Sequence, residues 1–152
     1  MATTQLVIFK LENEEFGVDI MQVKEIIKPL QIVKVPNTPD FIEGIINLRG
    51  KVHPIISLRK RFKLAVTAFD DNTKIIIVNV NDTDVGFIVD EVNEIVRIDN
   101  QEIEQVPELV TGINRKYING VGKINDRMII LLDLDQVLSL SEQEEIKSIN
   151  NE

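Results

Sequence analysis

The sequence predicts a mainly β protein: two pseudo-repeated small β-barrels of about five strands each, packed on a shared hydrophobic seam and carrying short helices. Two observations carry that expectation. The first is a degenerate internal copy: residues 5–28 lie on residues 74–97 without a gap, and residues 44–62 lie on residues 120–138, also without a gap. Gly17 falls over Gly86, Val23 over Val92, Glu25 over Glu94 and Ile26 over Ile95, while Ile55-Ile56 falls over Leu131-Leu132. The offset changes from 69 to 76 between the blocks, so the second copy holds a seven-residue insertion. Two copies are too few for a solenoid and describe a duplicated small domain. The second observation is local: short runs rich in Ile and Val, each bounded by turn residues, recur along the chain. Closing such strands into barrels of SH3-like type removes exposed sheet edges.

In chain order, residues 6–11 and 16–20 read as a hairpin, repeated at 75–80 and 85–89 around the turn at 81–84. Ile20, Val23, Ile26 and Ile27 then recur at helical spacing, with Asp19 as a cap and Pro29 as a stop, which predicts a helix. The matching stretch 92–98 alternates as a strand does, so the copies are expected to differ here. Residues 45–48 and 52–56 form a second hairpin around Arg49-Gly50-Lys51, leading into Ser57 as cap of a short helix over 58–62. Asn125-Asp126 turns the corresponding hairpin, and Asp133 caps a helix through Leu138. The insert over 99–114, with Pro107 and Gly112, reads as a surface loop, and 141–149 as a terminal helix. The lobes are therefore expected at 1–66 and 67–140, with a helical tail at 141–152. Each lobe of roughly 65 to 75 residues is marginal alone, so the two should pack together.

Composition narrows the function classes. The longest apolar runs fall far short of the ~20 residues that cross a bilayer, and the first stretch has no basic start, so it reads as a strand rather than a signal peptide. With no cysteine there is neither a disulfide scaffold nor a thiolate metal site, and a cytoplasmic location is expected. The net charge of −8 is uneven: residues 1–66 hold ten Lys/Arg against seven Asp/Glu (+3), residues 67–152 seven against eighteen (−11). The basic cluster of Arg49, Lys51, Arg59, Lys60, Arg61 and Lys63 lacks interleaved aromatics and reads as a solvated face, not a nucleic-acid site. Lobes of opposite sign suit oriented contacts with protein partners.

Catalytic chemistry is sparse. His53, the one histidine, sits in a strand beside Pro54, opposite Ile129 in the repeat, and reads as a packed residue. Gly120-Val121-Gly122-Lys123 fails the spacing of a phosphate loop, and Asp133-Leu134-Asp135 has a sufficient role as a helix start. Asp70-Asp71-Asn72 and residues 81–84 read as solvated turns. Neither an enzyme, a metal nor a cofactor is expected.

The segment Phe41-Ile42-Glu43-Gly44-Ile45-Ile46-Asn47-Leu48-Arg49-Gly50, with Val52, Pro54-Ile55-Ile56 and Leu58, resembles the signature of the chemotaxis coupling protein family, CheW. Phe16-Gly17-Val18-Asp19-Ile20, Val23-Lys24-Glu25-Ile26, Pro36-Asn37-Thr38-Pro39, residues 85–90 and residues 126–131 follow in the family's order, over about residues 5–140. His53 stands where the family usually has an aliphatic residue and Ser57 where Asp is common; Ser caps as Asp does. The resemblance implies a cytoplasmic, non-catalytic adaptor. It would join the helical cytoplasmic tips of methyl-accepting chemoreceptors to the regulatory domain of the histidine kinase CheA, with no nucleic acid and no membrane insertion. It also implies a receptor surface of Val23, Glu25, Ile26, Val33 and Arg49, and kinase contacts at Gly44, Asn47, Gly50, Val85, Gly86 and Phe87. Arg49 is the strongest candidate, because a guanidinium at a hairpin tip makes bidentate contacts with a partner.

Overall fold

The computed structural model describes residues 2–105, 115–138 and 142. Eleven strands and two one-turn helices are placed among them: β1 (Thr3–Leu11), β2 (Glu14–Asp19), β3 (Val23–Ile27), β4 (Ile42–Leu48), β5 (Lys51–Ser57), α1 (Leu58–Arg61), β6 (Lys74–Val80), β7 (Thr83–Val89), β8 (Glu91–Asp99), β9 (Ile103–Glu104), β10 (Ile118–Ile124), β11 (Arg127–Leu132) and α2 (Leu134–Val137). They form a six-stranded sheet in the order β8-β1-β2-β11-β10-β9 and a five-stranded sheet in the order β3-β6-β7-β5-β4. Both helices start as expected: the Ser57 hydroxyl accepts from the Lys60 N–H, and the Asp133 carboxylate accepts from the Asp135 N–H.

The grouping of strands follows from two short connections. Only Ile20–Gln22, a 3-10 turn, separates β2 from β3, and only Asp90 separates β7 from β8. At neither link does the chain fold back beside the strand it leaves. The chain therefore runs on into the other sheet at both points. As a result β1–β2 joins β8–β11, and β6–β7 joins β3–β5. The division at residue 66 follows the repeat, but the hydrogen-bonded sheets do not observe it; each takes its first hairpin from one copy and its remaining strands from the other. The register confirms the pseudo-symmetry. In the two parallel pairings Ile55 sits opposite Gly86 and Leu131 opposite Gly17, pairs that the sequence repeat superposes.

Three apolar clusters result. Leu6, Ile8, Ile98, Ile129 and Leu131 fill the concave side of the six-stranded sheet, and Ile46, Ile55, Ile75, Ile77 and Ile88 fill that of the five-stranded one. Alternate residues of the same strands, among them Val7, Phe9, Phe16, Ile76, Val78 and Phe87, meet between the sheets in the largest cluster. Strands buried on both faces read as unbroken apolar runs, which is why residues 6–9 and 75–78 show no polar alternation. An aromatic row crosses the seam: Phe9 stacks on Phe16 with centroids 5.7 Å apart, Phe16 on Phe62 at 6.1 Å, and Phe62 meets Tyr117 at 5.5 Å.

Two expectations change. The helix expected over 20–28 is a 3-10 turn followed by β3, which pairs Ile26 with Ile76 and Ile27 with Ile75. The copies therefore do not differ here, since β8 pairs with β1 in the same way, Val96 opposite Leu6. The insert is not loop throughout: Ile103 and Glu104 add a short edge strand to β10. Its remainder at 106–114, and the helix expected at 141–149 apart from Glu142, lie outside the described residues.

Candidate partner interface

The β4–β5 hairpin turns on two residues, Arg49 (φ 52°) and Gly50 (φ 84°), flanked by the pair Leu48 and Lys51. Positive φ at both central positions makes the tight turn whose twist matches the flanking strands. The Asn47 side-chain oxygen accepts from the Gly50 N–H at 2.9 Å and fixes it. Arg49 then reaches back across the sheet: Nη1 donates to Glu25 Oε1 at 2.9 Å and Nη2 to Oε2 at 2.5 Å. β3 and β4 are the two ends of the five-stranded sheet, so this bidentate pair closes the mouth of the barrel. The Arg49 side chain remains 69% exposed. Its hydrogen bonds hold the Glu25 carboxyl below the usual carboxylate range, and Glu25 in turn raises Arg49.

Beside this pair, Lys24, Glu25, Leu48, Arg49, Lys51, His53, Ile77 and Asp84 line a cleft of about 240 Å³, which adjoins a wider one of about 510 Å³ reaching Asn79 and Asp82. Lys24 Nζ lies 3.0 Å from Asp84, which also accepts from Asn79 at 2.8 Å. Burial pushes the Asp84 carboxyl up, but the hydrogen bonds from Asn79 and Lys24 outweigh it and leave the group below its ordinary value. The other barrel carries a related network. Arg127, at the start of β11, donates to Glu15 at 3.0 and 2.5 Å and lies 2.6 Å from Glu94, the repeat counterpart of Glu25.

The expected receptor set is divided by this geometry. Glu25 and Arg49 are joined directly. Ile26, 38% exposed, follows Glu25 along a strand and so faces the opposite side of it. Val23 packs against the seam, and Val33 is 55% exposed while its backbone bridges Ile45. Among the expected kinase contacts, Gly44, Asn47 and Gly50 shape the hairpin; a Cβ on Gly44 (φ 148°) would sit 2.2 Å from the Val33 carbonyl oxygen. Val85 and Phe87 lie buried in the seam, and Gly86 lies at a barrel-interior position whose Cβ would meet Ile55 at 2.6 Å. β7 lies between β6 and β5, so it has neither a free edge nor exposed side chains at these positions.

Four members of the basic cluster, Arg49, Arg59, Lys60 and Arg61, are engaged by carboxylates. Arg59 binds Asp90 at 2.9 and 2.5 Å, Lys60 lies 2.7 Å from Glu43, and Arg61 binds Glu142 at 3.0 and 2.8 Å while its guanidinium lies 4.4 Å from the Phe41 ring centre. Among the described residues no helix is long and apolar enough to cross a membrane, and no three His, Asp or Glu side chains are gathered as metal ligands. Sequence reasoning missed Lys24, Asp84 and Arg127, whose partners lie far away in sequence. The contrast of His53 with Ile129 was the signal that a barrel mouth had become polar.

Comparison with known proteins places this architecture. Residues 5–142 match the model of the CheW-like domain. The chain belongs to the CheW-like family. It is 39% identical over 138 residues to the chemotaxis protein CheW of Klebsiella aerogenes, covering 91% of this chain and 83% of that one. To the CheW of Bacillus subtilis it is 37% identical over 134 residues, covering 88% and 86%. The crystal structure of the scaffolding protein TtCheW from Thermoanaerobacter tengcongensis superposes with a TM-score of 0.84 at 40% identity, covering 93% of this chain and 92% of that one. The two-sheet, mainly β frame is thus the CheW-like fold.

Proposed function

We propose that this CheW-like protein is a non-catalytic, cytoplasmic chemotaxis adaptor that couples the cytoplasmic tips of chemoreceptors to the regulatory domain of the histidine kinase CheA. Membership of the family over nearly the whole chain is the observation that carries this reading. The geometry supports it in two ways. The duplicated frame offers two barrels with different surfaces on one rigid seam, as a connector of two partners requires. The Arg49–Glu25 pair puts a preorganised, exposed guanidinium at the mouth of one barrel, where a receptor helix carrying carboxylate or carbonyl acceptors can compete for it. Receptor contact is assigned to Glu25 and Arg49, with Val23, Ile26 and Val33 as neighbours. Kinase contact is assigned to the ends of the barrels, with Gly44, Asn47 and Gly50 acting through the hairpin they shape. The test is a mixture of receptor signalling fragment, kinase and this chain: kinase activation should require all three, and activation without the chain would refute the role.

A further inference from the structure

We infer that His53 is a proton-sensitive element beneath the Arg49–Glu25 pair, so that protonating its ring redraws the ion pairs at this barrel mouth and weakens partner engagement as pH falls. The partner half of this inference rests on the adaptor reading above; the intramolecular half does not.

His53 is 6% exposed, and its Nδ1 finds no hydrogen-bond partner among the described protein groups. Charged and polar groups from β3 and two hairpins border the cleft beside it. Lys24 and Glu25 come from β3, Arg49 from the hairpin turn, Lys51 from the start of β5, and Asn79, Asp82 and Asp84 from the β6–β7 hairpin, while the β4 neighbour in register is Ile46. Burial favours the neutral ring, with Lys51 and Lys24 acting in the same direction and Asp84 and Glu25 opposing them. The carboxylates that oppose are already committed, Glu25 to Arg49 with both oxygens and Asp84 to Lys24 and Asn79. An imidazolium has two N–H donors and no acceptor, and the anionic neighbours of a proton placed here are those same two carboxylates. A charge on His53 competes with Arg49 for the Glu25 carboxylate, and the guanidinium at the tip loses part of its hold. The other barrel is a built-in control: Ile129 occupies the equivalent position, and the Arg127 network has no titrating ring beneath it.

As His53 is the only histidine, one imidazole signal reports it. The experiment follows that ring, the Glu25 carboxyl carbon and the Arg49 guanidinium by NMR in the full chain from about pH 7.5 to about pH 5, the range in which histidines titrate. Expected is a common midpoint for all three, absent at Glu25 and Arg49 in His53→Leu, with no matching step at Arg127. His53→Gln serves if the leucine variant does not fold. A ring that titrates with no step at Glu25 or Arg49, or a step that survives the substitution, overturns the inference. In parallel, affinity for a receptor signalling fragment should fall over the same range by about fivefold more in the parent than in the variant, the low end of ordinary site-to-site couplings. Equal losses overturn the partner half. A fragment that binds at no pH refutes the adaptor reading instead, and leaves the NMR result to decide the rest.

Discussion

Arg49 occupies a left-handed backbone position that side chains rarely adopt, and the turn holds it there through the Gly50 N–H to Asn47 bond and the two-pronged contact with Glu25. Because the side chain is exposed and the turn is hydrogen-bonded through its backbone, Arg49→Ala should leave the melting temperature nearly unchanged. Receptor-fragment affinity should drop by about tenfold, as truncation of an interfacial arginine commonly does, and binding isotherms would show it. Arg49→Lys should not restore it, since an ammonium cannot reproduce the bidentate geometry. His53 makes a second prediction through stability. Its folded value lies below the ordinary 6.5 because burial disfavours the charged ring, so below that pH the unfolded chain takes up the proton first. Stability is therefore complete above about 6.5 and is lost as pH falls through the folded value. Melting curves of His53→Leu should lack this step. The tip position of Arg49 was legible from Arg-Gly between two apolar runs. Its partner was not, because Glu25 lies 24 residues away and reaches it only when the sheet curls.

The β4–β5 hairpin separates two uses of glycine, and the difference can be measured. Gly50 has positive φ but open space around its Cα, so Gly50→Ala should cost about 1 kcal/mol by denaturant titration. At Gly44 the new methyl would meet backbone, the Val33 carbonyl oxygen at 2.2 Å, and the bridge between Val33 and Ile45 cannot yield without breaking its own hydrogen bonds. Gly44→Ala should cost several times more, about 3 kcal/mol or beyond, combining strain and lost pairing. Equal costs would show that the close approach is not real. At this scale the hairpins, the Ser57 and Asp133 caps and the strand at 92–98 were readable from turn chemistry and alternation. The segment at 20–28 was not. Its apolar residues fit helical spacing, yet Val23, Ile26 and Ile27 are β-branched and pair with β6, so tertiary pairing decided against a weak periodic signal.

The exchange of hairpins between the sheets makes the molecule one cooperative unit. Neither barrel is complete within residues 1–66 or 67–152, because each lacks the hairpin that the other segment supplies. The two segments expressed separately should show no cooperative melt, and mixing them should restore one; independent folding of either would contradict the topology. The seam joins them further. Phe16→Ala, which opens the aromatic row between β1, β2 and α1, should cost about 3–5 kcal/mol and lower a single transition rather than split it. The repeat made two similar lobes legible but not their exchange, since Ile20–Gln22 reads as the start of a helix and Asp90 as a single polar break between strands. The charge contrast between the repeat copies is likewise divided between the sheets, as β1–β2 joins the acidic half and β6–β7 the basic half. On the proposed adaptor role, one rigid frame presents separate faces to two partners. Affinity of Arg49→Ala should be measured against a receptor signalling fragment and against the kinase regulatory domain in separate titrations. Loss of the first with the second intact is the expected result, and equal loss of both, or of neither, would contradict it.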